Sequence, residues 1–180
     1  YDAVVGGRSV GTPGTPMLMQ AAHERWGKLD WAGLFDDAIA LAEDGFAVSP
    51  RLAGQIAEDS DRLGRFQTTA DYFLPGGEPL AAGALLQNPA YAQTLTALAA
   101  KGAEAFYSGA IAGDIVDTVQ GAEGNPGLLA LEDLAAYRVI EREPVCVAYH
   151  GYDVCGMGPP SSGALTVGQI LGLTAEKDLA

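Results

Sequence analysis

YRVIEREPVCVAYHGYDVCGMGPPSSGALTVGQILGL, Tyr137–Leu173, is the stretch that decides the fold. It holds the clearest β-pattern in the chain and ends in a Pro-Ser-Ser-Gly turn that launches a helix. Val145, Val147 and Tyr149 alternate with Cys146 and Ala148, and Tyr152–Cys155 follows after His150-Gly151. Apolar and β-branched residues at a period of two mark a strand with one covered face. With His150-Gly151 as the turn, Tyr149 pairs with Tyr152, Ala148 with Asp153, Val147 with Val154 and Cys146 with Cys155. A two-residue turn of this kind needs positive φ, which Gly151 supplies easily and His150 less readily. Cys146 and Cys155, the two cysteines of the chain, then oppose each other in a non-hydrogen-bonded pair, the closer kind. A disulfide across adjacent strands is reachable but strained, so two buried thiols side by side are the expected arrangement. A metal site would need further ligands beside the sulfurs, and His150 sits at the turn instead.

Upstream of this stretch the chain reads as helices and connectors. Thr15-Pro16 starts a first helix by the pairing of a hydroxyl cap with a proline that needs no N–H. Its expected inner face is Leu18, Ala21, Ala22 and Trp26. Asp30 caps a second helix, with Trp31, Leu34, Phe35, Ala38, Ile39 and Ala42 as its buried stripe and Gly45 as its stop. After a short apolar return at Phe46–Val48, Ser49-Pro50 opens a third helix, with Leu52, Ile56 and Leu63 inward. Residues 66–87 read as irregular. Asn88-Pro89 opens a fourth helix, with Tyr91, Leu95, Leu98 and Ala99 inward. Ile111, Ile115, Val116 and Val119 mark a fifth, and Leu131–Tyr137 is a short helical turn. Leu165, Val167, Ile170 and Leu171 are the expected inner face of the last helix.

The 180 residues are 48% hydrophobic, enough for one sizeable core. Asp plus Glu number 23 against 10 Lys plus Arg, a formal charge of −13. That balance argues against a nucleic-acid partner, which needs clustered cations. No apolar run approaches the roughly 18 residues of a membrane span, so no membrane association is expected. The chain carries no signal peptide and begins without an initiator Met, as a processed product or a cut fragment would.

A nucleophile needs a base and an orienting group within reach. The two histidines, His23 and His150, do not come with a Gly-x-Ser-x-Gly elbow, and neither a P-loop nor a dinucleotide-binding glycine pattern is present. His23 reads as a packing residue on a helix. Glu58, Asp59 and Asp61 read as a solvated face, since no glycine-bearing calcium loop accompanies them. Pro159-Pro-Ser-Ser-Gly163 could present helix N–H groups to an anion, but a capped helix with Ser161 or Ser162 as N-cap is the simpler reading. From these residues the chain is mainly α with a β-hairpin near its C-terminus (α+β). No catalytic residue, cofactor site or metal site is assigned.

Several phrases together resemble the γ-glutamyltranspeptidase family: Ser9-Val-Gly-Thr-Pro-Gly-Thr15, Trp26-Gly-Lys-Leu29, Ala38-Ile-Ala-Leu-Ala-Glu-Asp-Gly-Phe46 and Val48-Ser49. Asn88-Pro89, Ala105-Phe-Tyr-Ser-Gly109, Leu131-Glu-Asp-Leu-Ala-Ala-Tyr-Arg138, Glu141-Arg-Glu-Pro144 and Tyr149-His-Gly-Tyr-Asp-Val154 follow, leading to Met157-Gly-Pro-Pro-Ser-Ser-Gly163. Each phrase is moderately specific, and the ordered set is highly specific and covers nearly the whole chain. The resemblance implies an N-terminal-nucleophile hydrolase of αββα architecture, made as one precursor that cuts itself into two subunits. Residues 1–180 would be a single helical segment of the large subunit, with its hairpin at about 138–157. The threonine nucleophile, the oxyanion-hole glycines and the carboxylate-gripping arginine would all lie outside these residues. Thr12, Thr15 and Thr166 are therefore not nominated. The implied partners are the small catalytic subunit and a small γ-glutamyl substrate, with no cofactor. Bacterial members are usually periplasmic or extracellular. Gly158 and Ala164 depart from the family's usual proline and glycine, and Cys146 and Cys155 stand where other residues are expected. The subtype is thus open to cephalosporin-acylase-like relatives, and a non-catalytic helical binding or scaffold module is the alternative from another class.

Overall fold

The computed structural model describes residues 3–175 and Lys177. They divide into two compact units, the first running through Arg138 and the second starting at Val139. Among the described residues no helix is long and apolar enough to cross a membrane.

The first unit is helical. In chain order it comprises α1 (Thr15–Trp26), α2 (Asp36–Asp44), β1 (Phe46–Ala47), α3 (Pro50–Glu58), α4 (Ser60–Leu63), α5 (Gln67–Phe73), β2 (Leu85–Leu86), α6 (Pro89–Lys101), α7 (Glu104–Tyr107), α8 (Gly109–Gln120) and α9 (Leu131–Ala136). The caps follow the sequence. Ser49 Oγ accepts the Leu52 N–H at 3.1 Å and Asn88 Oδ1 accepts the Tyr91 N–H at 2.9 Å, each ahead of a first-turn proline. Asp30 accepts from Gly33 N–H at 3.2 Å and opens a 3-10 turn that feeds α2. Thr15 is the first helical residue of α1, with Gly14 in the cap position and no side-chain cap bond.

Two elements fall inside the region read as irregular. α5 is one, and the two-residue ladder Phe46↔Leu86, Ala47↔Leu85 is the other. Strands of two residues are too short to show a period, so their pairing comes from the surroundings. Val48 anchors the ladder, buried and bonded from its N–H to Ala84 O at 2.8 Å.

Two clusters form the core of this unit. Phe35, Leu95 and Leu98 join α6 to the segment entering α2, with Trp31, Ile39, Ala99 and Phe106 against them. Ala103, Tyr107, Ala112, Val116 and Leu134 join α7, α8 and α9, with Met17, Phe106 and Tyr137 against them. The expected inner face of α1 is corrected. Ala21 and Ala22 turn inward as expected, but Leu18 is 56% and Trp26 68% exposed, and Met17 and Gln20 turn inward instead. Apolar residues lie on more than one side of α1, so periodicity alone selects the wrong stripe. Trp26 carries the Arg25 guanidinium over its ring at 4.8 Å. Leu34, in the 3-10 turn before α2, and Ala38, in α2, are likewise exposed, and in α6 the buried positions are Ala92, Leu95 and Leu98 rather than Tyr91.

The second unit contains β3 (Val145–Tyr149), β4 (Tyr152–Gly156) and α10 (Gly163–Thr174). The ladder has the expected register from Tyr149↔Tyr152 through Cys146↔Cys155 to Val145↔Gly156. His150 and Gly151 both take positive φ, 48° and 85°. The expectation of two buried thiols is corrected. Cys146 and Cys155 are joined in a disulfide with their Cα atoms 4.1 Å apart, and both residues are exposed. The reason is the alternation itself. Val145, Val147 and Tyr149 are partly covered, which sends Cys146 and its partner to the opposite, solvated face.

The inner face of α10 is also corrected. Leu165, Val167 and Ile170 are exposed, and Leu173 is 77% exposed. The hairpin meets small residues instead: a Cβ on Gly168 would reach ordinary contact with Val147, and one on Gly156 would press on Ala164 Cβ. Small residues let helix and hairpin approach closely. Of the expected face, Leu171 is partly covered, while Leu165, Val167 and Ile170 stay exposed.

His150 is the one described non-glycine residue at positive φ. Asn tolerates that conformation better and favours the two-residue turn when followed by Gly. The substitution His150→Asn is expected to stabilise the hairpin by about 0.5 kcal/mol, at the low end for correcting a turn position. Hydrogen exchange at the Val147 and Val154 amides should slow about twofold. Unchanged or faster exchange would show that the turn carries no such cost.

Candidate functional site

Three of the sequence phrases, far apart in the chain, meet at Tyr107. The ring is 3% exposed and stacks on Tyr137 with centroids 5.6 Å apart and planes 5° from parallel. Its hydroxyl donates to the Pro13 carbonyl at 2.6 Å and accepts the Met17 N–H at 3.4 Å. A buried phenol must find partners or lose its hydration without compensation. Here the partners are main-chain atoms of the Thr-Pro-Gly-Thr-Pro turn that starts α1. Burial pushes the Tyr107 hydroxyl above its ordinary value, the Met17 N–H draws it back, and Tyr137 beside it raises it further. Nearby, Gln20 Oε1 accepts the Ala103 N–H at 2.5 Å. A Cβ on Gly14 would collide with the Tyr137 hydroxyl, so that turn is held to glycine by its neighbour.

A second junction ties the N-terminal segment to the loop after α8. Gly7 N–H donates to Asn125 O at 2.7 Å, Gly127 N–H to Val119 O at 2.8 Å, and Asn125 Nδ2 to Val5 O at 2.7 Å. Gly7 and Gly127 approach backbone to backbone, leaving no room for a Cβ on either. Two clefts border this junction. One of about 1010 Å³ is lined by Arg8, Thr12, Gln120 and Asp133 among others. The other, about 690 Å³, lies between Val4–Val10, the α4–α5 region and the end of α8. In the first, Gln120 Nε2 donates to Leu129 O at 2.9 Å and Asp133 accepts the Ala130 N–H at 2.9 Å. Both polar side chains are thus committed to the loop that forms the wall. A third cleft, about 320 Å³, is almost wholly apolar, with Met19, Trp31, Phe35, Tyr91 and Phe106 in its lining.

The residues weighed from sequence lie apart. His23 Nε2 is 2.8 Å from the Leu29 carbonyl, and the ring packs edge-on against Trp31 at 5.3 Å. His150 sits at its turn against Tyr149. Asp59 is paired with Arg62 through Nε and Nη2, and Glu58 and Asp61 are exposed. Ser162 holds the cap position of α10 and its carbonyl accepts the Thr166 N–H at 2.9 Å. The side-chain cap expected from Ser161 or Ser162 is not formed. Thr12 lines the cleft of about 1010 Å³, Thr15 starts α1, and Thr166 lies within α10.

The hydroxyls of Ser9, Thr94, Thr96, Ser108 and Thr174 each donate to a main-chain carbonyl. These are local helix and turn bonds, which leave the oxygen without a base. Among the described residues no group of three or more His, Cys, Asp or Glu could hold a metal ion. What the geometry builds in the first unit is a helical body with open clefts, one of them almost wholly apolar. The Tyr107 hub was not legible beforehand. A hydrogen bond spanning 94 positions leaves no local signal in a sequence.

The profile of the family described as Gamma-glutamyltranspeptidase matches residues 1–180. The acylase ACY 1 proenzyme of Pseudomonas sp. (strain V22) is 37% identical over 178 residues, covering 99% of this chain and 31% of that protein. The glutathione hydrolase proenzyme of Escherichia coli (strain K12) is 36% identical over 170 residues, covering 94% and 29%. The crystal structure of Helicobacter pylori gamma-glutamyltranspeptidase superposes with a TM-score of 0.92 at 34% identity, covering 99% of this chain and 50% of that one. The chain therefore spans about a third of the length of these curated relatives.

Tyr107→Phe keeps the stack on Tyr137 but leaves the Pro13 carbonyl and the Met17 N–H without the hydroxyl. It should cost about 1–2 kcal/mol in denaturant unfolding. The pH dependence carries a sign. Because the folded value lies above the unfolded one of about 10, the contribution is intact below about pH 10 and is lost as pH rises through the folded value. The wild type should therefore lose stability above about pH 10 more steeply than Tyr107→Phe. Parallel melting curves for the two proteins across that range would contradict the assignment.

Proposed function

The chain belongs to the gamma-glutamyltranspeptidase family, and from that premise we propose that it is a large-subunit segment of an enzyme that hydrolyses or transfers γ-glutamyl groups. The donors would be glutathione and related γ-glutamyl amides. The observation that carries this reading is the match of the family profile to the whole chain, in register with a fold that superposes at a TM-score of 0.92. In this reading the nucleophile is an N-terminal threonine outside these residues. It attacks the γ-glutamyl amide with its own amine as base, and the acyl-enzyme passes to water or to an acceptor amine. In this reading these residues supply no catalytic group, cofactor site or metal site. They form a wall, and the small catalytic subunit of the same precursor is the partner. Curated relatives on both sides of the substrate question carry the word proenzyme in their names, which supports a precursor. The exposed apolar side chains of α1, and separately those of α10, are the surfaces this reading assigns to packing against the rest of the precursor.

A second reading has its own support. The acylase proenzyme of Pseudomonas matches at 37% identity, level with the glutathione hydrolase at 36%. In that case the fold and nucleophile are retained and another amide is cleaved.

The 180-residue chain alone is expected to release no product from a γ-glutamyl anilide, whereas the complete precursor, once processed, should. Activity in the isolated chain would overturn the placement of the nucleophile. With the complete protein, faster turnover of the γ-glutamyl anilide than of a β-lactam side-chain amide supports the first reading. The reverse order supports the acylase.

A further inference from the structure

We draw no further inference here: the strongest candidate, the almost wholly apolar cleft of about 320 Å³ beside Trp31 and Phe106 in the first unit, opens in a chain that spans about a third of its curated relatives, and nothing in the structure shows what covers it.

Discussion

The first unit depends on one buried hydroxyl. Tyr107 must bond to something, and the bonds it finds are main-chain atoms of Pro13 and Met17. Those two bonds fix where α1 begins relative to α7, and the ring above them fixes Tyr137 by stacking. The constraint spreads outward. Gly14 must lack a side chain because Tyr137 occupies the space, and Gln20, one turn further along α1, is positioned to accept from Ala103. Three segments separated by some of the longest sequence intervals in the unit are locked by one polar atom and two aromatic planes. A hydrogen-bonded group in that setting fixes geometry more strongly than an apolar contact of the same area, because displacement leaves buried partners unpaired.

The family phrases gain a physical meaning from this. Individually they are short strings of turn and helix residues. Thr-Pro-Gly-Thr-Pro, Ala-Phe-Tyr-Ser-Gly and Leu-Ala-Ala-Tyr supply the acceptor, the donor and the stacking plane of a single junction. A sequence that kept one phrase and lost another would leave a buried group without its partner. They act as a set, and that is why their joint occurrence says more than any one alone.

The legible parts of the fold were those encoded locally. Ser49-Pro50 and Asn88-Pro89 announce helix starts because cap and proline act within one turn, and the hairpin register follows from a period of two around one turn. Which face is buried was less legible. α1 has apolar residues on more than one side, and close approach selected Met17 and Ala21 over Leu18 and Trp26. In α10 the same preference selected Ala164 and Gly168 over the larger residues. α5 was missed because Gln67-Thr-Thr-Ala-Asp-Tyr-Phe73 has no apolar stripe, and the β1–β2 pair because two residues have no period. The clefts at Gly7 and Gly127 were invisible in sequence for a different reason. They arise from two backbones meeting, and glycine marks such a place without saying what it meets.

The two units also differ in what holds them. The first has two buried clusters and a satisfied polar hub. The second, from Val139 on, is held by the contact of its hairpin with α10 and by the Cys146–Cys155 disulfide. Its helix sets Ala164 and Gly168 against the hairpin with Leu171 partly covered, and leaves Leu165, Val167 and Ile170 exposed. Its turn spends a histidine at positive φ. A disulfide across the one non-hydrogen-bonded rung that brings two cysteines together compensates for both. The register of the hairpin is thus fixed twice, by a period of two around the His150-Gly151 turn and by a covalent bond across the rung Cys146↔Cys155.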